Sequence, residues 1–263
     1  MAEYCPSQQD RRILTTHIVL LLIAALIVGM SKGGLASAAA ISVPMLALVM
    51  NPIQAAALLL PVYIVTDWVA VSLYRRDHSK RNLAILIPSM LVGVTIATVV
   101  TPYTPESLLL IVTGLIGLWY CLRTWLGRGQ GAATEAAVPQ GVFWGTITGI
   151  TSFITHSGGP PAQAYLLPQR LPKLQFAGTI AIAFAFCNLA KLPAYWWLDK
   201  LHGLSWQLTL GLVATGIVGT VIGRRIAQWL SETTYRRMIE IMLFALSIIL
   251  LSKGAWMALV RVA

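Results

Sequence analysis

Two short stretches hold the residues of this 263-residue chain best suited to binding chemistry. SKGG, Ser31 to Gly34, sets a hydroxyl and a lysine beside a glycine pair. THSGGPP, residues 155 to 161, sets Thr155, His156 and Ser157 beside Gly158 and Gly159, with two prolines after them. Both lie in apolar surroundings, where a glycine pair leaves helix ends at membrane depth. Unpaired amides there cost several kcal/mol each unless protein or ligand satisfies them. Pro160 and Pro161 suit the first turn of a helix, so a half-helix is expected to start at the second break, its free amides and positive dipole end facing a cavity. Lys32 adds a full charge, which near the bilayer centre costs about 2.5 to 3.5 kcal/mol on insertion scales and calls for a counter-anion. The expected substrate-binding set is therefore Ser31, Lys32, Gly33, Gly34, Thr155, His156, Ser157, Gly158 and Gly159, which together describe a small-anion site.

Each feature also has a plainer reading. Glycine pairs serve close helix packing, as Gly219 and Gly223 do in a small-xxx-small pattern; a lysine can snorkel to an interface; a lone histidine can be a satisfied core residue. Matching positions in the two halves of the chain favour the site.

Asp67, Asn188 and Lys191 are the coupling or gating candidates, because intramembrane carboxylates mark relays, although Asp67 could equally serve a hydroxyl or amide. At 1.5 Å per residue, Asp67 falls roughly 12 Å from the cytoplasmic end of its span and Lys191 roughly 10 Å from the outer end of its own. No direct ion pair between them is expected in straight helices, and Pro61 and Pro193 are the places where kinks would change that. Cys5, Cys121 and Cys187 are scattered without ligand-like spacing, so no metal and no cofactor is expected.

The elements that must position these residues follow from composition. The chain is 57% hydrophobic and 11% charged, against roughly 25% charged in an ordinary soluble domain. Apolar runs of about 17 to 25 residues, each enough to cross a ~30 Å hydrocarbon core, cover Ile13 to Met30, Ile53 to Tyr74, Leu83 to Val100, Leu108 to Leu126, Phe176 to Leu198, Leu204 to Ile222 and Met238 to Val260. This is an all-α integral membrane protein whose partner is the lipid bilayer. The net charge of +10 records topology rather than nucleic-acid binding. Arg11 and Arg12 before an apolar run imitate a signal peptide, but the run is longer than an h-region of about 7 to 15 residues, and the segment is expected to be retained.

Positive charge gathers at Arg75, Arg76, Lys80 and Arg81; at Arg123 and Arg128; at Arg170 and Lys173; and at Arg224, Arg225, Arg236 and Arg237. Placing these loops in the cytoplasm makes residues 53 to 74 and 176 to 198 run in opposite directions. The halves also resemble each other: SKGG matches HSGG, and an offset of 121 sets Asp67 against Asn188. The expected architecture is one membrane domain, a helical bundle of two inverted-topology repeats. Residues 1–130 contain a broken hairpin at about 13–50 and spans at about 53–74, 83–101 and 106–126; residues 137–263 contain a hairpin at about 138–168 and spans at about 174–198, 204–223 and 236–260. Both termini then lie on the external or periplasmic side, which puts Arg11 and Arg12 there against the charge bias.

GMSKGGLASAAAISVPML, ITHSGGPPAQAYLLPQRL and GTVIGRRIAQWLSETTYRRMI resemble the sulfite exporter TauE/SafE family, also called the toluene sulfonate uptake permease family, over essentially the whole chain. The resemblance implies a multi-pass carrier of the cell inner membrane for sulfite, thiosulfate or organosulfonates, with the glycine motifs carried onto Ser31 to Gly34 and His156 to Gly159. Ala36, Ser37 and Ala38 stand where the family has richer glycine runs. The expected activity is secondary transport of a small sulfur-containing anion by alternating access. No GxxxxGK[ST] motif is present, so a coupling proton or sodium ion, or a separate protein, supplies the energy. The alternatives are an intramembrane hydrolase using Ser157 with His156 or Lys32, although no GxSxG elbow is present, and a scaffold that transports nothing. No oligomeric state follows from the sequence.

Overall fold

The computed structural model describes residues 8–36, 38–46, 52–100, 105–126, 133–156, 158–197 and 206–262. Its helices are α1 (Gln8–Lys32), α2 (Ser42–Leu46), α3 (Pro52–Tyr74), α4 (Lys80–Val100), α5 (Glu106–Trp125), α6 (Val138–Thr155), α7 (Gly159–Leu166), α8 (Lys173–Trp197), α9 (Trp206–Trp229) and α10 (Glu232–Val262). Short 3-10 turns cover Ala38–Ile41 and Leu167–Gln169, and no strand occurs among the described residues. The all-α expectation holds. Lys80–Val100, Lys173–Ala194, Trp206–Trp229 and Glu232–Val260 are long and apolar enough to cross a membrane, and shorter apolar stretches occupy His17–Lys32, Leu58–Tyr74 and Leu110–Leu122. The chain is a multi-pass membrane protein. Its outward faces carry Val92, Val99, Leu115, Val142, Phe143 and Leu210, and exposed Trp206 and Trp229 stand at the two ends of α9, where interfacial aromatic belts form.

Helix pairing is reciprocal between the two halves of the chain. The first helix of each half packs on the fourth of the other, α1 on α9 and α6 on α4. The third packs on the third, α3 on α8, and the fifth on the fifth, α5 on α10. The cross contacts of α3 with α9 and of α8 with α4 are reciprocal as well. Small residues let the backbones meet, as interhelical packing in lipid requires. A Cβ at Gly93 of α4 would fall 2.2 Å from the Thr146 carbonyl oxygen of α6, and one at Gly219 of α9 would fall 2.3 Å from that of Leu26 on α1.

The basic loops at 75–81, 170–173 and 224–237 gather at one end of the bundle. Lys173 donates through Nζ to the carbonyls of Gln228 (2.9 Å) and Leu230, Arg236 to that of Leu167 (3.2 Å), and Arg81 to that of Ala136 (3.1 Å). Arg224 bonds the Leu73 carbonyl, lies 3.8 Å from the Asp77 carboxylate and stacks 4.5 Å from the Tyr74 ring centroid.

Candidate substrate-binding site

The two glycine breaks are built differently. At SKGG, α1 ends at Lys32; the Leu35 amide bonds back to the Met30 carbonyl (3.1 Å) and the Gly34 amide to that of Ser31 (3.2 Å). With Gly34 at φ 131°, this is a Schellman helix stop, in which only glycine accepts the middle conformation without strain. The Gly33 amide is also taken, by the Gly29 carbonyl at 2.8 Å. The amides of Gly33, Gly34 and Leu35 are thus all taken at the first break. Its carbonyls are held instead: Tyr74 donates to Gly33, and Tyr235 donates to Gly34 at 2.5 Å. No proline stands directly after SKGG, and the chain continues through a 3-10 turn into five-residue α2, which carries Pro44 in its first turn.

At the second break, α6 stops at His156, which adopts a left-handed conformation (φ 54°) with its amide on the Thr151 carbonyl. Eight-residue α7 begins at Gly159 with Gly158 as its cap. Pro160 and Pro161 carry no amide hydrogen, and the Ala162 amide is bonded to the Gly158 carbonyl at 3.3 Å. The half-helix exists as expected, yet the two prolines that start it remove two of the four free amides a helix N-terminus offers.

Between the breaks lies a cavity of about 50 Å³ lined by residues that include Ser31, Lys32, Tyr63, Ser152, His156, Gly159, Phe184, Asn188 and Lys191. One water needs about 10 to 15 Å³ on the same measure, so the space suits a few waters or one small polyatomic ion. Four charged or polar side chains on three helices form a chain beside it. Lys32 Nζ of α1 lies 2.6 Å from Asp67 Oδ1 of α3. Asn188 of α8 donates Nδ2 to Asp67 Oδ2 at 2.6 Å, and its Oδ1 accepts from Lys191 Nζ at 2.8 Å. Lys191 also donates to Ser152 Oγ of α6 at 2.8 Å. Relative exposures are 7% for Lys32, 1% for Asp67, 2% for Asn188 and 0% for Lys191. Charged groups this deep persist only when paired or hydrogen-bonded.

Aromatic rings wall the same space. The Tyr63 ring stacks on His156, with centroids 5.4 Å apart and planes 16° from parallel. Lys32 Nζ lies 5.1 Å from the Tyr63 centroid and 5.4 Å from that of Phe184, within the range of cation–π attraction.

Of the residues expected from sequence, Ser31, Lys32, His156 and Gly159 line the cavity, together with Asn188 and Lys191, and Asp67 contacts two of them. Gly33 and Gly158 serve close packing: a Cβ would fall 2.2 Å from the Thr220 carbonyl oxygen at Gly33 and 2.8 Å from Ser152 Cβ at Gly158. Gly34 is the helix stop. Ser157 and the side chain of Thr155 lie outside the described residues.

A model of the family described as sulfite exporter TauE/SafE matches residues 21–250. The chain belongs to the sulfite exporter TauE/SafE family. No curated protein and no solved structure gives a match. The TauE/SafE family is a transporter family, and membership assigns the chain to membrane transport of the sulfur-anion exporter kind. The match takes in both glycine breaks and every residue of the charged chain just described.

Tyr63, Phe184, Ser152 and the clamping Tyr74 and Tyr235 escape the sequence reading of this TauE/SafE protein. For the first two a signal existed: Tyr63 and Phe184 stand at the same offset of 121 that relates Asp67 to Asn188. Tyr74 and Tyr235 had none, because a buried phenol looks like any core aromatic until its partner is known.

Proposed function

We propose that this TauE/SafE protein is a secondary transporter that carries sulfite, thiosulfate or a short organosulfonate through the cavity between the SKGG and HSGG breaks by alternating access. The observation that carries the reading is the charge inventory: two buried ammonium groups, Lys32 and Lys191, line one small cavity, and one buried carboxylate, Asp67, pairs with the first of them. Such a site favours an anion of a few heavy atoms. Ser31, His156 and Gly159 line the space the substrate passes through, and Lys32, Asp67, Asn188 and Lys191 form the charged network beside it, on which a coupling proton or sodium ion also acts. The protein works in the cell inner membrane without a resident cofactor.

Two inverted repeats supply the moving parts. Reciprocal helix packing supports this, as does the hydrogen bond between Asp67 and Asn188. A contact between equivalent positions of two repeats sits on the axis that relates them, which is where inverted-repeat carriers place substrate and coupling ions. The convergence of the basic loops supports a cytoplasmic end with both termini opposite, following the positive-inside bias.

The test is flux of radiolabelled sulfite, thiosulfate and methanesulfonate into proteoliposomes. Lys32→Ala and His156→Ala are expected to cut the rate by about tenfold or more, the scale of a lost hydrogen bond to a charged group. Wild-type rates in both variants would refute the site.

One observation favours a second reading, an intramembrane hydrolase: Ser152 Oγ and Lys191 Nζ are 2.8 Å apart, the spacing of a serine–lysine dyad. It needs Lys191 as a neutral base, whereas the carrier needs its charge. Covalent labelling of Ser152 by a fluorophosphonate would favour the hydrolase; absence of labelling is the expected result.

A further inference from the structure

The geometry points to Lys191, and not Lys32, as the charge that holds the transported anion, with Asn188 and Asp67 as its positioning residues. This rests on the anion-carrier reading above and divides the roles of its two lysines.

The two ammonium groups have unlike surroundings. Lys32 lies 2.6 Å from Asp67, so that pair is neutral as a unit. Lys191 meets only uncharged acceptors, Ser152 Oγ and Asn188 Oδ1, each at 2.8 Å. An ammonium has three donors, and among the described residues the third has no acceptor. A fully buried charge with no counter-charge in direct contact is costly, and Lys191 lines a cavity sized for a small ion. An anion there neutralises Lys191 and takes its remaining hydrogen, whereas at Lys32 it would have to compete with Asp67.

Asn188 makes this arrangement directional. Its Nδ2 is committed to Asp67 Oδ2 and its Oδ1 to Lys191. Turning the amide over would set oxygen against carboxylate and NH₂ against ammonium, so the Asp67 charge fixes which end faces Lys191. Asp67 thus positions Lys191 through Asn188, while the amide keeps the carboxylate out of direct contact with the substrate's charge.

The experiment is anion-dependent thermal stabilisation of the purified full chain in detergent, with sulfite, thiosulfate, methanesulfonate, chloride and nitrate as probes. Ligand bound only to the folded state raises the apparent midpoint. Lys191→Met is expected to lose about 10- to 100-fold in apparent anion affinity, and adding Asp67→Asn to it restores nothing. Lys32→Met strands the Asp67 charge and also weakens binding, but there the added Asp67→Asn recovers most of the loss. Exposed Lys80→Met controls for general charge removal.

Wild-type anion affinity in Lys191→Met, or failure of Asp67→Asn to rescue Lys32→Met, would overturn the assignment. If Lys191→Met does not fold, Ser152→Asp sets a carboxylate beside the retained lysine; abolished anion stabilisation is expected, and an undiminished response overturns the assignment. Sulfur anions that bind independently of Lys191 refute this inference and leave the carrier reading standing. Chloride or nitrate alone binding through Lys191 does the reverse.

Discussion

Lys32, Asp67, Asn188 and Lys191 form one line in which an ion pair is joined through an amide to a second ammonium. Breaking a buried ion pair on one side costs about 3 to 5 kcal/mol, because the remaining charge is stranded, while removing both partners costs far less. Asp67→Ala is therefore expected to lower the thermal midpoint sharply, and Lys32→Met combined with Asp67→Ala to regain most of the loss in the same measurement. Additive losses in that double-mutant cycle would mean that the pair is not coupled. The sequence made Asp67 and Asn188 visible as equivalent positions, but not as neighbours. Depth along straight helices separates Asp67 from Lys191, and no direct ion pair joins them in the structure; a single amide on α8 bridges them instead. Lys32 called for a counter-anion from its cost alone, and the nearest one is the protein's own carboxylate.

At the level of elements, the seven apolar runs and both breaks were legible, because bilayer thickness dictates run length and glycine pairs interrupt it. How each break is built was not. The same dipeptide gives a Schellman stop after Lys32 and a left-handed His156 followed by a proline-started helix at HSGG, and tertiary partners decide between them. Tyr74 and Tyr235 hold the first break from α3 and α10. Tyr74→Phe and Tyr235→Phe each leave a buried carbonyl short of a donor, an expected cost of about 1 to 3 kcal/mol in unfolding experiments. Helix crossings offer a sharper contrast. Gly93→Val drives a side chain into the Thr146 carbonyl and is expected to destabilise by about 1 to 3 kcal/mol or more. Gly211, where an added Cβ would meet nothing within 4 Å, should accept alanine with a gain of about 0.5 to 1 kcal/mol in helix stability. Equal midpoints for the two variants would contradict the close α4–α6 crossing.

The whole molecule is two halves that exchange partners, so that helices from both enclose one cavity. Composition and loop charge anticipated the membrane bundle, whereas the interlocking of α1 with α9 and of α6 with α4 had no local signal, since small residues are spread through every apolar run. The alternating access proposed above opens the site to one side at a time, which separates this reading from both a channel and a scaffold. Counterflow tests it most directly: proteoliposomes preloaded with unlabelled sulfite or thiosulfate are diluted into medium holding a trace of the labelled anion. Alternating access through the Lys191 site predicts a transient accumulation of label above its equilibrium level, abolished by Lys191→Met. Label that only equilibrates without overshoot, or an overshoot that survives Lys191→Met unchanged, would contradict it.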